Sequence, residues 1–221
     1  MQTDRLIAAV TEAVVRQVEQ SRKMKEESSR DIPVGISNRH VHLSRDDFAQ
    51  LFGTNTQLTK RKELSQPGQF ACEQTVTLVG PGGVIEGVRI LGPIRSRTQV
   101  EISAADGYRL GIKAPVRDSG ELEGSAKATI VGPEGSVTLR QGVIVAARHI
   151  HMHDSDAMRF VVRDKERVCV RCPGLRGLIF EEVLVRVAPE YRLEFHVDLE
   201  EANAAGLSNN DRITLWEFPG K

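Results

Sequence analysis

Six histidines are present, and five of them fall in two short arrays, His40-Val41-His42 and His149-Ile150-His151 followed by His153. On a β-strand, side chains i and i+2 share a face about 6.5–7 Å apart. Two imidazoles so placed can reach one metal ion through bonds of about 2.0–2.1 Å. The intervening Val41 and Ile150 then point the other way, into a core. One such pair would be a weak signal, but two in matching contexts are stronger. The sixth histidine lies in Leu193-Glu194-Phe195-His196-Val197. Alone, it reads as a core histidine; beside an array short of a third ligand, it reads as that ligand. Glu101, in Thr98-Gln99-Val100-Glu101-Ile102-Ser103, poses the same question, because a carboxylate in an apolar strand needs a partner. A metal or an arginine would serve. Two or three histidines, or histidines plus a glutamate, with a position left open form the catalytic rather than the structural zinc pattern.

Other motifs carry less. Arg89, Arg95 and Arg97 cluster around Leu91-Gly92-Pro93, and Arg95, which follows the Gly-Pro turn and precedes Glu101, can grip an oxyanion bidentately. Cys169-Val170-Arg171-Cys172 sits in a strand-like run with no second pair, and an i, i+3 spacing sends the thiols to opposite faces, so it reads as structural. Gly80-Pro81-Gly82-Gly83 and Gly132-Pro133-Glu134-Gly135 open no helix and read as hairpin turns. Neither a nucleophile elbow nor a dinucleotide fingerprint is present.

The elements that must position these residues are mostly short β-branched runs. IPVGIS, QTVTLVG, GVIEGVRIL, TQVEIS, YRLGIKAPV, KATIVG, SVTLRQGVIVAA, RVCVRC, LVRVAP and LEFHVDL are separated by Gly-Pro, Gly-Gly and Asp-Gly punctuation. Helices are expected near 44–52, 154–160 and 198–205, the last with Asp198 as its N-cap. Arg39-His40-Val41-His42-Leu43 recurs as Arg148-His149-Ile150-His151-Met152, which argues for two related halves. The expected fold is mainly β: two similar small β-barrel domains with a few short helices. They span 39–147 and 148–218, the second including a strand at 31–38. Ahead of them, residues 1–30 read as an amphipathic helix (3–20, with Leu6, Val10, Ala13, Val14 and Val18 along one stripe) and a polar linker. That stripe must dock, on the body of the protein or on a partner.

The 221 residues carry 30 Lys+Arg against 30 Asp+Glu, so the basic footprint of nucleic-acid binding is missing. No apolar run nears the ~18 residues that span a bilayer. The charged first 20 residues are no secretory signal, and three cysteines make no disulfide framework. The expectation is a soluble, intracellular protein with no nucleic-acid or membrane partner.

Together, Ile36-Ser37-Asn38-Arg39-His40-Val41-His42-Leu43-Ser44, Ile90-Leu91-Gly92-Pro93 with Arg95, Thr98 to Ser103, Ala147 to Met152, and His196 with Glu200-Glu201-Ala202-Asn203 resemble the PduL-type phosphate acyltransferases of bacterial microcompartments. The resemblance covers about residues 31–217. It implies paired β-barrels and two zinc ions per chain, one on His40, His42 and Glu101, the other on His149, His151 and His196. It further implies Arg95 as the catalytic, phosphate-binding arginine, and Ile36, Ser37, Asn38, Arg89 and Asn203 as contacts to the substrate coenzyme A. A lysine expected in the Gly80–Gly83 turn is replaced by Gly82, and His153 falls outside the ligand set. The implied reaction moves a propanoyl or acetyl group between coenzyme A and inorganic phosphate by direct attack in a ternary complex. Residues 1–20 resemble an encapsulation peptide, implying a bacterial cytoplasmic enzyme inside a microcompartment, with shell or cargo proteins as partners and a homo-oligomer compatible with the family. Two rivals remain: a zinc-dependent thioester or phosphoester hydrolase, and a noncatalytic zinc-stabilised scaffold, which three-ligand sites disfavour.

Overall fold

A computed structural model describes residues 30–217, together with Arg16 and Gln17, which are helical and exposed. The rest of the expected N-terminal helix and linker lies outside the described residues.

Fourteen strands are found among residues 30–217: β1 (Ile32–Ser37), β2 (His40–His42), β3 (Lys60–Glu63), β4 (Phe70–Gly80), β5 (Gly83–Gly92), β6 (Gln99–Glu101), β7 (Val116–Arg117), β8 (Ala126–Val131), β9 (Ser136–Ala146), β10 (His149–Met152), β11 (Arg167–Cys172), β12 (Leu178–Val187), β13 (Glu194–Asp198) and β14 (Arg212–Trp216). Within the same residues, four short helices accompany them: α1 (Arg45–Phe52), α2 (Ala104–Leu110), α3 (Asp154–Phe160) and α4 (Leu199–Ala205).

Twelve of these strands close into two six-stranded barrels, while β3 pairs with β4 and β7 with β9 outside the rings. In the first, the circuit runs β4, β5, β2, β6, β9, β8 and back to β4. In the second it runs β11, β12, β10, β13, β1, β14 and back to β11. Strand senses match around both rings. The pairs β2–β5 and β6–β9 are parallel, as are β10–β12 and β13–β1, and the remaining pairs are antiparallel. The echoed His-x-His segments therefore occupy equivalent strands, and β6 is equivalent to β13. The strand equivalent to β9 is β1, which precedes the first barrel in the chain and completes the second.

Each barrel has its own apolar filling. Val41, Leu78, Ile90, Val100 and Ile130 are central to the first, Ile32, Ile150, Val185, Phe195 and Ile213 to the second. Val41 and Ile150 are fully buried, anchoring the strands that carry the histidines.

Helix starts follow side-chain caps. Ser44 caps α1 and Asp198 caps α4, its carboxylate accepting from Glu201 N at 2.8 Å. The run YRLGIKAPV is not a strand over its first residues: α2 takes Tyr108 to Leu110, because Ser103 and Asp106 form a reciprocal capping box that starts a helix at Ala104. His153 caps α3, its ring accepting from Ser155 N at 3.1 Å, which accounts for a histidine beside the His149/His151 pair that faces elsewhere. The two Gly-Pro turns are hairpin tips, as expected, and each docks on the C-terminal end of a helix. Gly82 N donates to Leu110 O at 2.9 Å and Glu134 N to Leu51 O at 3.0 Å. A Cβ at Gly82 would lie 2.8 Å from the Gly111 Cα, so no lysine fits at that position.

Candidate metal centre and cleft

Strand register assembles the site. Across β2 and β6, His40 faces Glu101 and His42 faces Gln99. Across β10 and β13, His149 faces His196 and His151 faces Glu194. Directly opposed residues share a sheet face, so each barrel presents a two-by-two grid of polar side chains. Within each grid three residues converge, His40, His42 and Glu101 in one and His149, His151 and His196 in the other. In each trio one nitrogen or oxygen per residue lies within 4.8 Å of the others.

These residues fit a divalent metal on grounds of their own. The Nδ1 atoms of His42 and His151 are buried with no hydrogen-bond partner, a costly arrangement unless something else takes the lone pair. The first histidine of each pair is oriented by the backbone: His40 Nδ1 donates to Asn38 O and His149 Nδ1 to Ala147 O, both at 2.8 Å. That leaves Nε2 of each ring free as a ligand atom. Burial holds His149 at about 4, and His42 and His151 also lie well below the ordinary imidazole range, so all three are neutral and ready to coordinate. His40 behaves differently. Burial pushes it down, but Glu101, 3.4 Å away, more than compensates and raises it, while the histidines hold Glu101 far below the carboxylate range against its own burial. Nitrogen and carboxylate donors in threes, without thiolate, are the set expected for catalytic zinc.

Around the trios lies positive charge. Arg95 is tied by its backbone to Leu43 O at 2.9 Å, beside the His-x-His strand. Its guanidinium makes no hydrogen bond or ion pair among the described residues, and burial and neighbouring Arg186 lower its basicity while Glu101 opposes them. Arg186 sits in register beside His151 on β12, with its guanidinium 5.8 Å from the Tyr191 ring centre. Sequence reading missed Arg186, although a charge between Val185 and Val187 is the same kind of signal that pointed to Glu101. It also missed Gln99 and Ser119, which donate to Glu101 Oε1 at 2.5 and 3.1 Å.

A cleft of about 220 Å3 opens onto both trios. Its lining includes His40 and Glu101 from one and His149 and His196 from the other, together with Ser37, Asn38 and Asn203. Ile36 and Arg89 lie outside that lining. Ile36 packs on the second core, and Arg89 donates to the carbonyls of Cys72 and Glu73 at 3.1 and 2.7 Å. No cysteine lines the cleft. The Cys72 and Cys172 thiols are buried and pushed up to about 11, far from the range of a nucleophile.

The profile of the phosphate propanoyltransferase family matches residues 33–208, a span that takes in both barrels and both trios. The chain belongs to that family. Among its relatives, a phosphate propanoyltransferase of Thermotoga maritima is 56% identical over 188 residues, 85% of this chain and 90% of its own. One from Rhodopseudomonas palustris is 52% identical over 184 residues, 83% and 81% of the two chains. A third, from Shewanella putrefaciens, is 49% identical over 209 residues, 94% of each. For a phosphate propanoyltransferase family member, a cleft that meets two histidine-rich trios is a coherent arrangement, with Arg95 and Arg186 beside the trios but outside the cleft lining. No helix among the described residues is long and apolar enough to cross a membrane.

Proposed function

We propose that the protein is a zinc-dependent phosphate acyltransferase that moves a propanoyl or acetyl group between coenzyme A and inorganic phosphate. The observation that carries this reading is the single cleft that meets both metal-ready trios, so that two substrates can be held against each other. His40, His42 and Glu101 would hold one zinc, and His149, His151 and His196 the other. When bound, the metal supplies Lewis acidity that polarises the acyl carbonyl and stabilises a departing thiolate.

The chain's own residues do the rest. Arg95, whose guanidinium makes no hydrogen bond or ion pair among the described residues, neutralises and orients phosphate, and Arg186 adds a second positive charge. Ser37, Asn38 and Asn203, which line the cleft, receive coenzyme A. A phosphate oxygen attacks the thioester carbonyl carbon; the C–O bond forms as the C–S bond breaks, giving acyl phosphate and the coenzyme A thiolate. The attack needs no nucleophile from the protein, so transfer is direct, in a ternary complex. Ping-pong kinetics or a trapped acyl-enzyme would count against it. Residues 1–20 serve as an encapsulation peptide that directs the enzyme into a microcompartment by docking on shell or cargo proteins.

The test is release of coenzyme A from acetyl-CoA and propanoyl-CoA, with and without inorganic phosphate, before and after chelation and zinc restoration. Phosphate-dependent release that zinc restores is the expected result. Release independent of phosphate would make the protein a hydrolase. No release from either thioester would leave the scaffold reading.

A further inference from the structure

The two grids differ at one corner. Where the first barrel has Gln99, opposite His42, the second has Glu194, opposite His151. Each corner residue supports the ligand two positions along its own strand, but with opposite polarity. Gln99 is a donor and serves a ligand that can only accept, the Glu101 carboxylate. Glu194 is an acceptor and serves a ligand that can donate: His196 Nε2 hydrogen-bonds to Glu194 Oε2. The barrels are equivalent strand by strand, so the exchange of amide for carboxylate tracks the exchange of carboxylate for imidazole at the ligand.

Glu194 occupies a prepared slot. It is 7% exposed, and its Oε2 also accepts from Ser65 Oγ and, at 3.2 Å, from Gln66 Nε2. Both residues belong to the segment joining β3 to β4 in the first barrel. Gln66 is itself pinned to the second barrel, donating to Arg192 O at 2.9 Å and accepting from Arg192 N at 3.2 Å. On β1, Gly35 makes the room, since a Cβ there would lie 2.7 Å from the Glu194 carboxyl carbon. β1 flanks β13 on the side away from β10. The carboxylate therefore lies against β1, and it stands outside the converging trio.

We propose that Glu194 is a positioning residue of the second trio: it holds the proton of His196 on Nε2, fixes the ring, and so commits the lone pair of Nδ1 to the metal. The first barrel, through Ser65 and Gln66, thereby sets the geometry of a ligand in the second. The metal-binding half of this inference rests on the functional reading above; the tautomer does not.

Histidine 1H–15N correlation spectra of the metal-free wild type, E194A and E194Q read the tautomer, and zinc titration against a chromophoric chelator reads each site's affinity. The wild type should show His196 protonated at Nε2, with E194A shifted to a mixture. E194A should weaken the second zinc by about 10- to 100-fold and leave the first unchanged. E194Q, whose amide oxygen still accepts, should fall between. An unchanged tautomer together with two unchanged affinities in E194A overturns the proposal. If E194A does not fold, E194Q decides in the same way. Should the wild type take up zinc at neither trio, the metal reading fails, while the tautomer shift still reports the Glu194–His196 bond.

Discussion

At the scale of single residues, burial without a partner is the most informative property of this site. Arg95 is the clearest case among the cations, because its largely buried guanidinium makes no hydrogen bond or ion pair among the described residues. Arg95→Ala should raise the phosphate KM and lower kcat, a combined loss of roughly 10- to 1000-fold in kcat/KM. Zinc content by elemental analysis should stay at the wild-type level; if zinc is lost too, Arg95 holds the fold rather than the substrate. The buried imidazoles make a second prediction. His149 sits at about 4 against 6.5 when unfolded, and His42 and His151 are depressed in the same sense. Between those values the unfolded chain binds protons that the folded chain refuses, so metal-free stability is lost as pH falls from about 6.5 towards 4. The raised His40 acts only above 6.5, and the depressed Glu101 and Glu194 act only below about 4.5. Thermal melts of the metal-free protein at pH 7 and pH 5 should therefore differ, with the lower Tm at pH 5. Equal melting temperatures would mean that these rings accept protons in place.

At the scale of elements, what was legible in the sequence is what depends on alternation. His-x-His, and the apolar residue between, announced both ligand-bearing strands, and Asp198 announced α4. Less legible was anything fixed by partners distant in the chain. Only the end of α2, Tyr108 to Leu110, reads as strand, because it runs on into Gly111-Ile112-Lys113-Ala114-Pro115-Val116 while the capping box that starts the helix lies upstream. Arg186, Gln99 and Glu194 were passed over because their significance comes from register with β10 and β2, which no local pattern reveals. Arg89 shows a partner that no local pattern reveals: the family resemblance implies a coenzyme A contact there, and on β5, beside His40, its guanidinium donates to two carbonyls of β4. The hairpin tips yield a prediction of their own. A Cβ on Gly132 would come within 2.5 Å of Leu51 O, so Gly132→Ala should cost about 1–3 kcal/mol of stability by strain against a backbone atom. Chemical denaturation measures that loss, and kcat/KM at 25 °C should be unchanged, because the α1 end is remote from the cleft lining. A parallel fall in activity would show that α1 positions the site.

At the scale of the whole molecule, neither barrel holds a complete site. The cleft draws on both, and cross-barrel pairs such as Arg167 with Asp118 and Ala105 N with Glu200 hold them in place. Deleting residues 1–22 removes none of these contacts among the described residues. The truncated enzyme should keep kcat/KM within about twofold while losing co-sedimentation with microcompartment shells. Loss of folding on truncation, seen as a collapsed melting transition, would mean instead that the segment packs on its own barrels.

The placement of β1 has a consequence for how the chain is made. Ile36 N on that strand is held by Asn209, 173 residues later in the chain. At roughly 5–20 residues per second, β1 waits on the order of 10–30 s on the ribosome for the partners that enclose it. Meanwhile the first barrel, whose strands are consecutive, can close alone. The N-terminal segment thus hangs from the last part of the protein to be completed, and an address carried there is mounted on a firm base only once the second barrel, and with it the whole cleft, has formed.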